Sequence, residues 1–104
     1  MKKDVKPVNS LPKSITIFGR SFRIVEKPHL KDEDGKELCG LYDSIKREIK
    51  INSKDLYEVR LSTLRHEVVH ALLDLSGLNE ILSVELEEAI VRCIENGWDD
   101  LGKI

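Results

Sequence analysis

LSTLRHEVVHALLDL, residues 61–75, carries apolar side chains at helical spacing from end to end. These side chains cover most of the helix circumference, and they are Leu61, Leu64, Val68, Val69, Ala71, Leu72, Leu73 and Leu75. A helix that is apolar on nearly every side packs against neighbours in more than one direction. Ser76 and Gly77 follow the stretch, and glycine is common just after a helix end. We therefore expect a central, buried helix.

Four short segments before this helix have the composition of β-strands. Residues 15–18 and 22–25 are rich in β-branched and aromatic residues and predict a hairpin. Residues 38–42 and 48–51 are two further strand candidates, and a last helix is predicted at residues 84–101. Strands followed by helices predict an α+β domain with a small, mainly antiparallel sheet of about four strands and two or three helices. Candidate helix caps are Asn52, Ser53, Ser62 and Thr63.

Length and composition fit one globular domain in water. The chain has 104 residues, of which 40% are hydrophobic and 35% charged, and a net charge of -2. A charge so near zero gives no electrostatic reason to expect nucleic acid or a membrane as partner. The lysine- and proline-containing residues 1–13 are predicted to be a flexible basic leader, and residues 14–104 the domain. Because no run of about 18 apolar residues and no signal-peptide pattern occurs, we expect a cytoplasmic protein of undetermined oligomeric state.

The central helix contains His66-Glu67-Val68-Val69-His70, which matches the H-E-x-x-H pattern. Residues four apart share a helix face, so both imidazoles can reach one tetrahedral zinc ion (Zn2+). Glu67 can then take a proton from water as general base. Zinc polarises carbonyl groups, so the predicted reaction is hydrolysis of a peptide bond in a peptide or protein substrate. Burying these polar groups among leucines is costly unless they bind something.

Acidic residues at the start of the last helix are candidates for a third ligand. Glu85, Glu87 and Glu88 lie 15, 17 and 18 residues after His70. Helical periodicity aligns Glu87 with the apolar side chains of the same helix. Acidic residues in a first turn also interact favourably with the helix dipole, without any metal. The spacing therefore leaves the choice among these residues open.

Other side chains are candidates for supporting roles. Asp74 lies one turn after His70 and could orient its free ring nitrogen, whereas His29 is predicted at the surface. The residue types that could stabilise a developing oxyanion are Tyr42, Tyr57, Arg60 and Arg65. Cys39 and Cys93 are predicted to be buried free thiols. The alternative to an enzyme is a non-catalytic, zinc-stabilised protein-interaction module with four protein ligands around the ion.

Residues 63–71, Thr-Leu-Arg-His-Glu-Val-Val-His-Ala, resemble the T-L-x-H-E-x-x-H-A segment of small phage- and prophage-type zinc metallopeptidases. These are minimal gluzincin-like relatives of the ImmA/IrrE metallopeptidases. Residues 87–91 and 96–98 are also similar to segments of that group, and the resemblance covers residues 14–101. It implies a minimal zincin-like fold, a zinc ion and a strand beside the cleft. It also favours Glu88 as the third ligand, with Glu87 as the alternative.

Overall fold

The first two strands form the predicted hairpin. In this computed structural model, which describes residues 10–101, β1 spans Ser14–Ile17 and β2 spans Arg20–Lys27. The strands are antiparallel, with Ile17 opposite Arg20. Phe18 and Gly19 connect them with φ angles of 49° and 75°. Positive φ at both loop residues matches the twist of the two strands, which makes a tight two-residue connection possible.

Two more strands complete a mixed sheet. β3 spans Gly40–Asp43, β4 spans Glu48–Asn52, and the strand order is β1-β2-β4-β3. β3 pairs antiparallel with β4, whereas β4 pairs parallel with β2. The predicted α+β architecture with a mainly antiparallel sheet is thus confirmed, with one parallel pairing that the strand pattern did not indicate. β3 is an edge strand.

The helices follow the sheet along the chain. α1 spans Tyr57–Leu75, a short 3₁₀ helix spans Leu78–Glu80, α2 spans Val84–Asn96 and α3 spans Trp98–Leu101. The predicted caps of the central helix were wrong, because Leu56 precedes α1 and gives no side-chain cap, and Ser62 and Thr63 lie inside the helix. The predicted last helix is interrupted at Gly97.

α1 packs against the sheet on one side and against α2 on the other. Leu64 and Ala71 face the sheet. Leu64 packs with the buried residues Leu11, Ile24, Ile49 and Ile51. Ala71 packs with Ile17 and Phe22. Val69 and Leu73 face α2 and contact its only fully buried residue, Val91. These two interfaces explain why apolar side chains surround most of α1. They leave a polar strip of α1 at the seam between β3 and α2.

The beginning of the described chain is part of this core. Leu11, which the sequence places in the predicted leader, is 6% exposed and packs against the sheet. The carbonyl of Lys13 accepts a hydrogen bond from the backbone N–H of Ile24 at 2.9 Å. The rest of the predicted leader, residues 1–9, and the end of the predicted domain, residues 102–104, lie outside the described residues. Within residues 10–101, no helix has the length and apolar character needed to cross a membrane.

Gly40 lets β3 approach α1 closely. A Cβ atom at this position would lie 2.5 Å from Cγ2 of Thr63 and 3.1 Å from the carbonyl oxygen of Lys50. It would also lie 3.4 Å from Cγ of Glu67. The first distance is too short for two carbon atoms, so any larger residue at position 40 would push the strand away from the helix that carries the histidines.

We expect Gly40→Ala to lower the free energy of unfolding by about 1–3 kcal/mol, the usual cost of inserting a methyl group into a packed interface. In a Thr63→Ser background, which removes Cγ2, the same change should cost less. Urea denaturation of the four proteins of this double-mutant cycle measures the coupling.

Gly97→Ala is the matched control, because Gly97 has negative φ and a Cβ there would make only an ordinary contact of 3.5 Å with a backbone oxygen. If Gly40→Ala and Gly97→Ala have equal effects, the close approach at Gly40 does not constrain the fold.

Candidate metal centre

His66 and His70 lie one turn apart on the polar strip of α1. Their Nε2 atoms are 3.2 Å apart, and their ring centroids are 4.9 Å apart. Both side chains are partly buried, with 27% and 17% exposure. The helical spacing of four residues therefore brings the two rings together as the motif predicts.

Glu88 reaches the same point from α2. Its two carboxylate oxygens lie 3.6 Å from Nε2 of His66 and 3.2 Å from Nε2 of His70. The side chain of Ser83 caps α2 by accepting a hydrogen bond from the backbone N–H of Leu86, and this cap fixes where the acidic first turn begins. Within residues 10–101, His66, His70 and Glu88 are the one group of three whose possible ligand atoms all lie within 4.8 Å of one another.

Two other glutamates of α2 contact the opposite side of the rings. An oxygen of Glu87 lies 2.6 Å from Nδ1 of His70, and an oxygen of Glu95 lies 3.0 Å from Nδ1 of His66. The hydroxyl of Ser62 donates a hydrogen bond to the second oxygen of Glu95. Burial alone raises the pKa of Glu95, but the hydrogen bonds from Ser62 and His66 hold it below its ordinary value. Glu87, the alternative ligand, thus contacts a different atom of His70 from Glu88.

Sequence reasoning missed Glu95 and misplaced Asp74. Glu95 lies seven residues, or two helical turns, after Glu88, so it shares a helix face with that residue. Because α2 runs antiparallel to α1, that face brings Glu95 to His66, and this spacing was a usable signal. Asp74 accepts hydrogen bonds from the Tyr42 hydroxyl at 2.7 Å and from Nδ2 of Asn79 at 3.1 Å rather than from His70.

Glu67 lies between two cavities. The larger, of about 390 Å³, is also lined by Tyr42, His70 and Asp74, and the smaller, of about 220 Å³, by Cys39 and His66. Burial raises the pKa of the Glu67 carboxyl, and the nearby charge of Glu88 raises it further. The two histidines and a hydrogen bond from the backbone N–H of Tyr42 act in the opposite direction and only partly offset the rise. Glu67 is therefore a stronger base than an exposed glutamate, and it borders open space on both sides.

Of the four candidates for oxyanion stabilisation, Tyr42 is the one that lines a cavity with Glu67 and His70. Burial and the hydrogen bond to Asp74 raise the pKa of the Tyr42 phenol, so the hydroxyl keeps its proton. Tyr57 packs in the core, Arg60 pairs with Glu26 at 2.8 Å, and Arg65 pairs with Asp99 at 3.2 Å. His29 is exposed, as predicted, and its Nδ1 lies 3.2 Å from Glu37.

The cysteines are free, as predicted, but the prediction that they are buried was wrong, because both residues are exposed. Neither side chain is needed to fill the apolar clusters, which consist of residues from the sheet, α1 and α2. Cys39 lines the smaller cavity together with His66.

Comparison with known proteins identifies no relative: no protein family, no curated protein and no solved structure matches the chain. Any functional conclusion therefore depends on the residues and geometry described above.

The thiol of Cys39 provides a test of the local electrostatics. Although the residue as a whole is exposed, partial desolvation of the thiol raises its pKa, and the charge of Asp55 and a hydrogen bond with it raise the pKa further. A raised pKa means a smaller thiolate fraction at a given pH, so Cys39 should be alkylated with a pH midpoint above that of an ordinary thiol. Asp55→Asn should move this midpoint to lower pH. Alkylation rates between pH 7 and 10 in a Cys93→Ser background measure the midpoint of Cys39 with Asp55 present and with Asp55 replaced.

Asp34→Asn is the control, because it removes the same charge from an exposed loop. A midpoint that is the same in the Asp55→Asn and Asp34→Asn proteins would contradict the assignment of the shift to Asp55.

Proposed function

We propose that this protein is a zinc-dependent peptidase in which His66, His70 and Glu88 bind the ion and Glu67 is the general base. The observation that carries the proposal is the separation of the three ligand groups, whose facing atoms lie 3.2–3.6 Å apart. Two atoms bound to one tetrahedral zinc at 2.0–2.1 Å are about 3.3 Å apart. The separations of the donor atoms therefore match those of a tetrahedral zinc site.

The number of ligands favours a catalytic site over a structural one. Structural zinc sites are closed by four protein ligands, whereas catalytic sites have three and leave a position open. In residues 10–101 the convergent group contains three side chains, and Glu87 is engaged with Nδ1 of His70 instead. This arrangement weighs against the alternative of a non-catalytic zinc-stabilised interaction module.

The surroundings of Glu67 support its proposed role as general base. A zinc ion in such a site polarises a peptide carbonyl and lowers the pKa of water. Glu67 would take a proton from the attacking water and deliver it to the leaving amine, for which its raised pKa is suited. The cavity of about 390 Å³ next to Glu67 and His70 gives the substrate a place beside the ligands.

We propose that the backbone of the substrate peptide pairs with β3. It is an edge strand, and the hydrogen bond from the Tyr42 amide to Glu67 ties it to the proposed base. An extended peptide can pair with the free side of such a strand, which is a common form of peptide recognition. Leu41 and Tyr42 also line the larger cavity, so a paired peptide would pass directly over it.

Metal binding tests the ligand assignment. We expect one zinc per chain, and zinc at 100 times its Kd should raise the free energy of unfolding by about 2.7 kcal/mol over the chelated protein. Glu88→Gln should weaken zinc binding by more than roughly 100-fold, the upper range for residues that act only through a ligand. Competition with a fluorescent chelator measures the Kd.

Glu85→Gln is the matched control, because Glu85 is exposed in the same first turn of α2. A protein that takes up no zinc, and whose unfolding is insensitive to chelator, would remove the proposal.

Replacement of the base separates catalysis from binding. We expect Glu67→Gln to bind zinc as the unmodified protein does but to lose at least 100-fold in kcat for peptide hydrolysis, because the amide cannot accept a proton. The zinc-loaded variant should still bind an uncleaved peptide and slow hydrogen exchange of the β3 amides. Equal rates of hydrolysis would exclude Glu67 as base, and unchanged β3 exchange would exclude strand pairing.

A further inference from the structure

We propose that Glu87 and Glu95 are positioning residues that hold the neutral rings of His70 and His66 with the proton on Nδ1. Both Nε2 lone pairs then face Glu88 before any metal arrives. This inference deepens the proposed function, since it concerns the same metal site, but its central claim concerns the metal-free protein. It follows from the distances and from hydrogen-bond chemistry.

The two nitrogens of His70 have unequal partners. Nδ1 lies 2.6 Å from Glu87, whereas Nε2 lies 3.2 Å from Glu88. An ionised carboxylate only accepts hydrogen bonds, and a neutral imidazole has a single N–H to donate. A short contact between a lone pair and a carboxylate oxygen would be repulsive. The proton of His70 therefore belongs on Nδ1, facing Glu87.

The same reasoning applies to His66. Nδ1 lies 3.0 Å from Glu95, and Nε2 lies 3.6 Å from Glu88, beyond hydrogen-bond distance. The hydroxyl of Ser62 holds the other oxygen of Glu95, so this carboxylate has a fixed orientation. Glu95 thus accepts a hydrogen bond from Nδ1–H of His66 on the side away from Glu88.

This placement of protons leaves an electrostatic conflict that points to a cation. Two Nε2 lone pairs lie 3.2 Å apart, and the carboxylate of Glu88 faces both of them. With the single proton of each neutral ring on Nδ1, both Nε2 atoms and the carboxylate of Glu88 are acceptors, so they repel one another. A divalent cation between them would remove the repulsion. Histidine ligands of metals typically donate their other N–H to a carboxylate, which fixes the ring and raises its basicity.

The tautomers can be observed directly in the metal-free protein. Two-bond ¹H–¹⁵N NMR of the chelated chain at pH 8 distinguishes Nδ1–H from Nε2–H. We expect the Nδ1–H pattern for His66 and His70, although free histidine favours Nε2–H. A His29→Gln variant removes the third histidine signal and leaves only the two rings of the site. An Nε2–H pattern in either ring would overturn the proposal.

Zinc affinity gives the second readout. Glu87→Gln and Glu95→Gln should each raise the Kd for zinc 10- to 100-fold, and Glu95→Asp, which keeps the carboxylate, should recover part of that loss. Glu85→Gln should leave the Kd unchanged. Urea denaturation of the chelated variants separates loss of zinc affinity from loss of fold. The zinc Kd of Ser62→Ala measures the contribution of the hydrogen bond from Ser62 to Glu95.

The outcomes separate this inference from the proposed function. Values of Kd for Glu87→Gln and Glu95→Gln within twofold of that for Glu85→Gln would overturn the positioning role while leaving the peptidase proposal intact. Nδ1–H rings in a protein that takes up no zinc would support the positioning role and remove the peptidase proposal. If either glutamine variant fails to fold, the tautomers of the unmodified chain decide.

Discussion

The packing of α1 on two sides is the constraint from which the rest of the structure follows. The sheet covers one face of this helix through Leu64 and Ala71, and α2 covers another through Val69 and Leu73. A polar strip of α1 along the seam between β3 and α2 holds His66, Glu67 and His70. Side chains on this strip are partly removed from water, so their polar atoms need partners within the protein. α2 provides them, because its acidic face is turned towards the same seam.

The glutamates of α2 divide into separate roles by helical geometry. Glu87 and Glu88 are adjacent in sequence, so they leave the helix about 100° apart and reach different atoms of His70. Glu95 lies two turns further on and meets His66, one turn earlier on the antiparallel partner helix. A single acidic helix thus contacts both nitrogens of His70 and both nitrogens of His66. Acidic residues in the first turn of a helix interact favourably with the helix dipole without any metal. The helix dipole does not account for their contacts with two imidazoles.

Local patterns predicted the elements well because their causes are local. Alternation and β-branched residues indicated the strands, and helical spacing placed His66 and His70 side by side. The parallel pairing of β2 with β4 was not predictable, because it brings together segments separated by a long connection and β3. The start of α1 at Tyr57 was missed because Leu56, which gives no cap, precedes it. Periodicity and resemblance pointed to different glutamates, and both residues prove to contact His70 at different atoms. The spacing from Glu88 places Glu95 on the same helix face, but its contact with His66 depends on the direction of α2 relative to α1, which the sequence alone does not contain.

The attachment of α2 to the body of the protein has a consequence for cooperativity. Val91 is the only fully buried residue of this helix, and the partly buried Ile90 and Ile94 pack against the same apolar cluster. Polar contacts of Glu87, Glu88 and Glu95 with the histidines of α1 add to this apolar interface. An ion held by both helices would act as a cross-link between them, and its binding free energy would become folding free energy for α2. Loss of the ion would then weaken the contact between α2 and α1 more than the contacts within the sheet.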